Sequence, residues 1–420
     1  MTTLDSSTTR PDAARPKWRL PGWARGASSA AAAVAVLVVV SVLTGEHELT
    51  SSGTTQSAVR LLMPILLAGL GGLWAERAGV INLGLEGMMI MGTWGAAFAG
   101  MLAGPWAAVL GGLVFGALGG LLHALATVTF GVNHIVSGVA ITLLGAGLTK
   151  YLSTLVFQPV SHNPRQSPPL TGFDTYSVQP VAGWLGTLED RHLAVASDLA
   201  GLVGGLISGF TPLVLIGFAL VPVSYAVLWH TRFGLRLRSC GENPFAAESL
   251  GVGVYRHKYA AVVISGALAG LGGAALVLNP GQLGYLENQT GGRGYIGLAA
   301  MIFGNWRPGG LLAGSALFGY VDGLQLRAGG AAVHSLLYGA SLLAVVVALA
   351  ALARRRWLPA LLAALAGALA YAVYYVTDTV PREFASYAPQ LVTLVVLAVA
   401  AQRLRPPAAD GLEFRRGSGG

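Results

Sequence analysis

Long apolar runs recur along the whole chain, and each is about as long as a membrane-spanning helix, for which ~20 apolar residues suffice. The candidate spans are roughly residues 27–45, 58–75, 79–103, 106–130, 134–157, 209–230, 259–279, 282–304, 309–327, 333–353, 357–377 and 387–403. Only 10% of the 420 residues are charged, whereas soluble domains carry about 25%. The sequence therefore predicts an all-α polytopic membrane protein and excludes a soluble enzyme, a disulfide-rich secreted domain and a disordered chain.

Basic residues predict how the chain is oriented. They cluster beside apolar runs at residues 10–25, 232–258, 354–356 and 403–416, and the net charge is +8. If the N-terminus lies inside, twelve crossings place all these clusters on the cytoplasmic side, as the positive-inside rule requires. We therefore predict cytoplasmic N- and C-termini, an uncleaved first helix and no binding of nucleic acid.

The loops and tails divide the chain further. We expect a cytoplasmic tail over residues 1–26, a membrane domain over 27–404 and a second cytoplasmic tail over 405–420. Within the membrane domain, residues 158–208 are polar and rich in Pro, Gly, Ser and Thr, which indicates a partly structured external loop. Residues 231–258 form a basic cytoplasmic loop.

One motif occurs twice. The sequence Leu-Ala-Gly-Leu-Gly-Gly stands at 67–72 and again at 268–273. A chance match is one explanation in a chain so rich in these residues. The predicted topology favours another, because the first copy runs inward and the second outward. Two inverted repeats of this kind are common in transporters, with the substrate route between them.

Polar residues interrupt the apolar sequence at equivalent places in the two halves. The first half carries Glu76-Arg77, then Asn82 and Glu86, and the second half carries Arg293 beside several glycines. Charges within a membrane are costly and therefore pair with one another or line a cavity. Glu76 and Arg77 are best explained as a cytoplasmic turn. Asn82, Glu86 and Arg293 are candidates for a translocation path, and for Glu86 and Arg293 a structural ion pair is an equal alternative.

Other polar and aromatic residues have simpler explanations. His123 and Gln325 can hydrogen-bond between helices, and Asn133 can cap the helix that begins at His134. Trp94, Tyr295 and Trp306 can stack on a base or sugar, although aromatic belts at the membrane interface explain such residues equally well. Nothing in the sequence resembles a catalytic centre: there is no G-x-x-x-x-G-K-[ST] phosphate loop and no metal-spaced His/Cys cluster, and Cys240 is the single cysteine.

The basic loop encodes a short, strongly delimited helix. Asn243-Pro244 is a typical helix start with Pro at the first position, and Gly251 is a typical stop. Between them, residues 245–250 make barely two turns. So short and rigid a helix suits docking into another protein, although an amphipathic connector at the membrane surface is an alternative.

The same loop carries a resemblance to a known family. Residues 234–252, Gly-Leu-Arg-Leu-Arg-Ser-Cys-Gly-Glu-Asn-Pro-Phe-Ala-Ala-Glu-Ser-Leu-Gly-Val, closely resemble the coupling-helix loop of bacterial ABC importer permeases of the branched-chain amino acid and ribose group. Residues 76–89 and 294–308 are similar to the subgroup assigned to nucleosides and simple sugars. The resemblance covers roughly residues 58–330 and resumes near the end, at 387–394, 405–408 and 414–417.

This resemblance implies a fold, partners and site residues. The implied fold is an all-helical permease of about 10–12 transmembrane helices with two inverted repeats. The chain departs from the usual family pattern at 331–386, where we expect an extra apolar hairpin. The implied partners are a cytoplasmic ATPase that binds ATP and Mg, a second and paralogous permease, and an external substrate-binding lipoprotein in a bacterial plasma membrane. The residues that match the ATPase-contacting loop are Gly241, Glu242, Asn243, Pro244, Ala247, Glu248 and Gly251. The chain itself is then neither an enzyme nor the holder of a cofactor.

The expected activity is translocation of a nucleoside or simple sugar by alternating access, driven by the ATPase. An ion-gradient-driven transporter is the first alternative, with Glu86 or Asp322 as the ion-binding carboxylate. A scaffold or receptor is the second, and it leaves the docking loop unexplained.

Overall fold

A computed structural model describes residues 22–191, 193–381 and 404–415, and the regular elements within these ranges are all helical. The helices are α1 (Gly22–Thr44), α2 (Ser52–Arg77), α3 (Leu85–Ala124), α4 (His134–Val156), α5 (Gln158–Ser161), α6 (Val181–Glu189), α7 (Ala194–Leu206), α8 (Pro212–His230), α9 (Arg232–Glu242), α10 (Pro244–Ser249), α11 (Val254–Val277), α12 (Arg293–Phe303), α13 (Pro308–Ala353) and α14 (Trp357–Val376). The predicted all-α fold is confirmed.

Seven of the described helices are long and apolar enough to cross a membrane. Two of them, α3 and α13, are much longer than one crossing needs, and each contains a backbone break. In α3 the break lies at Ala103 and Gly104. Gly111 then packs directly against the carbonyl of Gly95, although 16 residues of straight helix would separate them by about 24 Å. The helix therefore doubles back, and its two arms correspond to the predicted spans 79–103 and 106–130.

A similar break divides α13 at Gly329, whose φ is +58°. The second arm, together with α14, forms the predicted extra hairpin, with Arg354–Arg356 at its turn. This hairpin exposes most of its apolar surface. The predicted span 387–403 lies outside the described residues.

The centre of the bundle is α2. Its most apolar stretch of 18 residues is 94% buried. A helix that is apolar on all sides is expected to be surrounded by other parts of the protein. It packs against α12 and α13 of the second half, while α11 of the second half packs against α3 of the first. Helices of each half therefore pack against helices of the other half, as the hypothesis of two inverted repeats predicts.

Glycines allow α3 and α11 to touch along their backbones. A Cβ on Gly270 would lie 2.1 Å from the carbonyl oxygen of Gly112, and one on Gly266 would lie 2.3 Å from that of Gly116. Small residues drive helix association in membranes because they let backbones approach closely. The high glycine content therefore has a packing function here.

The structure corrects one predicted span, 282–304. Its helix, α12, covers only Arg293–Phe303, which at 1.5 Å per residue extends about 16 Å and does not cross a bilayer. Turns and irregular backbone fill residues 278–292. Such backbone is tolerated at membrane depth only where protein or a cavity surrounds it.

The bundle has two ends, which we call the loop face, where α9 and α10 lie, and the opposite face. The predicted polar segment 158–208 lies at the opposite face and holds α6 and α7. Helix α6 packs on α7, and α7 packs on the start of α2. Asp198 of α7 accepts hydrogen bonds from Ser41 and Thr50. This segment is therefore folded onto the bundle.

Candidate functional site

The short helix of the basic loop is present as predicted. The side chain of Asn243 accepts a hydrogen bond from the backbone N–H of Ala246 over 3.0 Å, and Pro244 is the first helical residue. At the other end, Gly251 has a φ of +80°, and its N–H donates to the carbonyl of Glu248. Both ends of this two-turn helix are thus fixed by local chemistry.

The seven loop residues singled out in the sequence divide between two environments. Gly241, Pro244 and Ala247 are buried against the bundle, Glu248 is partly exposed, and Glu242, Asn243 and Gly251 are exposed. Sequence reasoning missed two exposed apolar residues in the same stretch. Leu250 is 85% exposed and Phe245 is 36% exposed. Exposed apolar side chains on a rigid helix contribute to a protein-docking surface where they form a contiguous patch.

A segment near the end of the chain, residues 404–415, lies against this loop. The N–H of Ala409 donates to the carbonyl of Gly241 over 2.8 Å, and that of Ala408 donates to the Glu242 carboxylate over 3.2 Å. The Phe414 ring packs 5.1 Å from that of Phe245. Sequence reasoning described this segment only as a tail. Its one signal was that the family resemblance resumes there.

The break after α2 lies directly beneath these contacts. Gly79 has a φ of +79°, and a Cβ there would lie 3.1 Å from the carbonyl oxygen of Ala409 and 3.2 Å from the Cα of Gly241. Three distant parts of the chain therefore meet at one point. Only glycine combines this backbone conformation with so close an approach.

The end of α2 is also tied to the second half of the chain. The indole N–H of Trp306 donates to the Glu76 carboxylate over 2.5 Å, and the Arg77 guanidinium donates to the Trp306 carbonyl over 2.6 Å. Arg77 also lies over the ring of Trp229, 5.3 Å from its centroid. The predicted turn is correctly placed, but Glu76 and Arg77 do more than mark it, because they join the two halves at the loop face.

Two ionisable groups at the loop face are shifted by burial. Burial raises the pKa of Asp410 to about 7, although a hydrogen bond with Glu76 and the nearby ammonium of Lys258 act in the opposite direction. Burial likewise raises the pKa of the Cys240 thiol to about 11. Cys240 is therefore a buried thiol within the loop packing and not a reactive thiolate.

The candidate path residues Asn82 and Glu86 hold the helix breaks together. The Asn82 side chain is fully buried and donates to the Ser265 hydroxyl over 2.9 Å. The Glu86 carboxylate accepts the N–H groups of Gly292 and Gly294 over 2.9 and 2.7 Å. Glu86 thus caps the N-terminus of α12 from the other half of the chain. Neither contact leaves these groups open to a solute.

Arg293, the third candidate, lies at a cavity. It forms an ion pair with Asp322, with 2.9 Å between Nη2 and the carboxylate oxygen, and it makes no pair with Glu86 in the described structure. The cavity measures about 340 Å³. It is lined by Leu61, Leu276, Asn279, Gly281, Gln282, Leu286, Gln289, Arg293, Asp322, Gln325 and Leu326. Arg293 therefore meets both descriptions weighed from the sequence, since it is paired and also lines a cavity.

A second cavity adjoins the first towards the opposite face. It measures about 460 Å³ and shares Leu61, Asn279, Gly281 and Leu326 with the inner one. Its further lining residues are Glu48, Ser57, Arg60 and Arg327. The two cavities form a polar recess that extends from the start of α2 to the start of α12.

The remaining sequence candidates lie elsewhere. Trp94 packs in an apolar core, with its ring stacked 5.2 Å from Phe98, and Trp306 is buried at the loop face, so neither faces this recess. His123 bonds to the Ser137 hydroxyl and the Ile81 carbonyl, which confirms its role between chain segments. Asn133 caps α4 as predicted. Gln325, expected to bond between helices, lines the inner cavity instead.

Comparison with known proteins adds independent information. The family described as the permease component of branched-chain amino acid transport systems matches residues 54–346. A putative glucose ABC transporter permease of Haloferax volcanii is 35% identical over 280 residues, which is 66% of this chain and 78% of that protein. A guanosine ABC transporter permease of Bacillus subtilis is 33% identical over 63% of this chain and 78% of its own length. A nucleoside ABC transporter permease of Lactococcus lactis is 32% identical over 63% of this chain and 80% of its own length. No solved structure matches the chain.

Proposed function

The chain belongs to the family of branched-chain amino acid transport permease components, and we propose that it is the membrane-spanning subunit of an ABC importer for a nucleoside or a simple sugar. The substrate class is supported by the names of its relatives, which are permeases for glucose, guanosine and nucleosides. Because its sequence has no phosphate-binding loop, the energy comes from ATP and Mg bound to a separate ATPase subunit.

The observation that carries this proposal is the construction of the loop around α10. The helix is capped at both ends, is held to the bundle by Pro244 and Ala247, and presents Leu250 to solvent. A rigid, outward-facing apolar element of this kind can transmit a push from a docked protein to the helices behind it. Its links through residues 404–415 and Gly79 lead directly to the breaks in both halves.

The orientation follows from charge. The loop face carries the basic segment 232–258, so the positive-inside rule makes it the cytoplasmic face. The ATPase then docks there in the plasma membrane, and the recess beside Arg293 opens outwards. An external binding lipoprotein delivers the solute to that side, and a second, paralogous permease completes the membrane part.

Ion-gradient-driven transport is the competing function, with Glu86 or Asp322 as the carboxylate. The contacts of both residues weaken this alternative. Glu86 accepts two backbone N–H groups, and Asp322 is paired with Arg293. A carboxylate that binds and releases a cation is expected to be available to it, and neither of these is.

The test uses the full chain together with the ATPase, second permease and binding protein that the proposal requires. The complex is purified and placed in vesicles, and uptake of labelled guanosine and glucose is measured. ATP is supplied on the side of the vesicle membrane where the ATPase lies. We expect Leu250→Asp to prevent retention of the ATPase and to abolish uptake. Val178→Asp, a matched change at an exposed apolar residue of the opposite face, should leave ATPase retention unchanged.

Two results contradict the proposal. One is uptake driven by an ion gradient in vesicles that contain the chain without an ATPase. The other is full ATPase retention and uptake by the Leu250→Asp complex.

A further inference from the structure

We propose that the inner cavity beside Arg293 is a solute-binding site that recognises the hydroxyl groups of an uncharged sugar or of the ribose of a nucleoside. This inference rests on the proposed function, which supplies the solute class, and it adds where the solute binds and which part of it is recognised. The cavity lies at the low end of the ~300–1,000 Å³ typical of small-molecule sites.

The charges around the cavity cancel. Arg293 and Asp322 are the two charged residues among its lining residues, and they are bonded to each other. An anionic solute would require Arg293 to be free, and a cationic one would require Asp322 to be free. A neutral solute leaves the pair intact, and both partners can still hydrogen-bond to it.

The N-terminus of α12 would otherwise favour an anion, since a helix N-terminus offers unpaired N–H groups and a positive dipole end. Here two of the N–H groups at this helix end, those of Gly292 and Gly294, already donate to Glu86. The protein has thus supplied its own anion at this helix end. This contact also argues against a phosphorylated or carboxylated solute.

The neutral lining residues match hydroxyl groups in particular. Asn279, Gln282, Gln289 and Gln325 each carry an amide, which offers both donors and an acceptor, as hydroxyl groups do. The Gln289 amide is oriented by the chain, because its oxygen accepts the N–H of Leu286 over 2.9 Å. A ring of such groups suits a solute with several hydroxyls.

Two buried donors in this lining have no hydrogen-bond partner among the described residues. They are the amide nitrogen Nε2 of Gln289 and the guanidinium nitrogen Nε of Arg293. The other nitrogens of Arg293 donate to Asp322 and to the carbonyls of Gln289 and Thr290. Buried polar groups are rarely left unpaired, so acceptor oxygens of a bound solute are the natural partners of these two.

The apolar lining indicates which part of a nucleoside enters. It consists of Leu61, Leu276, Leu286 and Leu326, with no aromatic side chain among the lining residues of the inner cavity. A flat base is usually held by stacking on an aromatic ring, whereas leucines can contact the carbon skeleton of a sugar. The sugar part is therefore assigned to this cavity.

Two measurements separate this inference from the proposed function. Binding of tritiated ribose, glucose and guanosine is measured on the full-length chain in lipid nanodiscs, and ATP-driven uptake is measured on the assembled importer. The variants are Gln289→Leu and Asp322→Asn, and Gln179→Leu, at an exposed glutamine of the opposite face, is the matched control. Unchanged thermal melting and elution show that each variant is folded.

We expect Gln289→Leu to weaken binding and to raise the KM for uptake by about tenfold with little change in maximal rate, because it removes hydrogen bonds to the solute. Asp322→Asn leaves the Arg293 guanidinium unpaired and able to bind an anion. Uptake by this variant should therefore be inhibited by glucose 6-phosphate, whereas uptake by the unaltered protein should not. The control should behave like the unaltered protein.

Binding and KM that stay unchanged in Gln289→Leu, while ATP-driven uptake operates, would overturn the site and leave the proposed function standing. Absence of ribose, glucose and guanosine binding to the unaltered chain would likewise overturn the site. Binding that depends on Gln289, without ATP-driven uptake by the importer, would support the site and contradict the proposed function.

Discussion

The backbone N–H of Ala409 donates to the carbonyl oxygen of Gly241 over 2.8 Å, and this bond joins residues 404–415 to the loop that carries α10. Gly79 lies in contact with both residues. The loop face is therefore held by three segments that are remote in sequence, and its stability depends on all of them.

Truncating Phe414 should loosen the short helix. Phe414 is buried against Phe245 and Tyr255, so Phe414→Ala should lower the local opening free energy of α10 by about 2 kcal/mol, a roughly 30-fold faster amide exchange. Hydrogen–deuterium exchange of residues 241–251 measures this. Phe130→Ala, at a largely exposed ring, should leave the exchange unchanged, and equal exchange in both variants would refute the role of Phe414.

Docking of residues 404–415 should weaken as pH rises. Burial raises the pKa of Asp410 to about 7 from an ordinary value of 3.8. Between these two pH values the docked segment therefore keeps a proton on Asp410, whereas the undocked segment has released it. Stability from this group is therefore present at low pH and is lost as pH rises through about 7. A hydrogen bond with Glu76 and the nearby charges of Lys258 and Arg77 favour the charged form of Asp410 and oppose this rise, but burial outweighs them.

The measurement is protection of residues 404–415 from proteolysis at pH 5.5 and pH 8, compared at each pH with Asp410→Asn. This variant keeps the neutral form and should stay equally docked at both values. If the unaltered chain and the variant show the same ratio between the two pH values, Asp410 is not the group responsible.

Removing the Glu86 carboxylate should destabilise α12. Glu86→Ala leaves the N–H groups of Gly292 and Gly294 without their acceptor, which should lower the free energy of unfolding by about 2–3 kcal/mol. Thermal denaturation in detergent gives the value. Among the described residues, Glu287 forms only longer ion pairs, with the exposed Lys150 and Arg165, so Glu287→Ala should change stability by less than about 0.5 kcal/mol. Equal losses of unfolding free energy in the two variants would show that the Glu86 cap stabilises α12 no more than a surface ion pair does.

A methyl group on Gly270 should separate α3 from α11. Its Cβ would lie 2.1 Å from the Gly112 carbonyl oxygen, and the backbones must move apart to admit it, at a cost of about 2–3 kcal/mol. Gly147 of α4 has open space at the same position, so Gly147→Ala is the matched control. Both variants are compared by thermal denaturation, and a Gly270→Ala protein as stable as the control would contradict the close approach.

Local features of this structure were predictable from sequence, whereas contacts between distant segments were not. The caps of α10 involve neighbours, so Asn243, Pro244 and Gly251 identify the helix on their own. The length of α12 could not be predicted, because hydrophobicity does not show where an apolar run leaves the helical conformation. The ion-pair partner of Arg293 could not be predicted either. The topology allowed either Glu86 or Asp322 to pair with it, and only the packing of α12 decides between these two carboxylates. The role of residues 404–415 depends entirely on such long-range contacts.

The contact between Ala408 and Glu242 spans 166 positions of sequence, and this has a consequence for biogenesis. At 5–20 residues per second, a ribosome makes the second partner roughly 8–33 s after the first. Until then the loop is inserted beside the membrane without the segment that completes its packing. The surface that we propose for the ATPase is thus finished only after residues 404–415 have been made, and a chain released before that point would present an unbraced loop to its partner. Subunit assembly would in this way wait for the synthesis of residues 404–415.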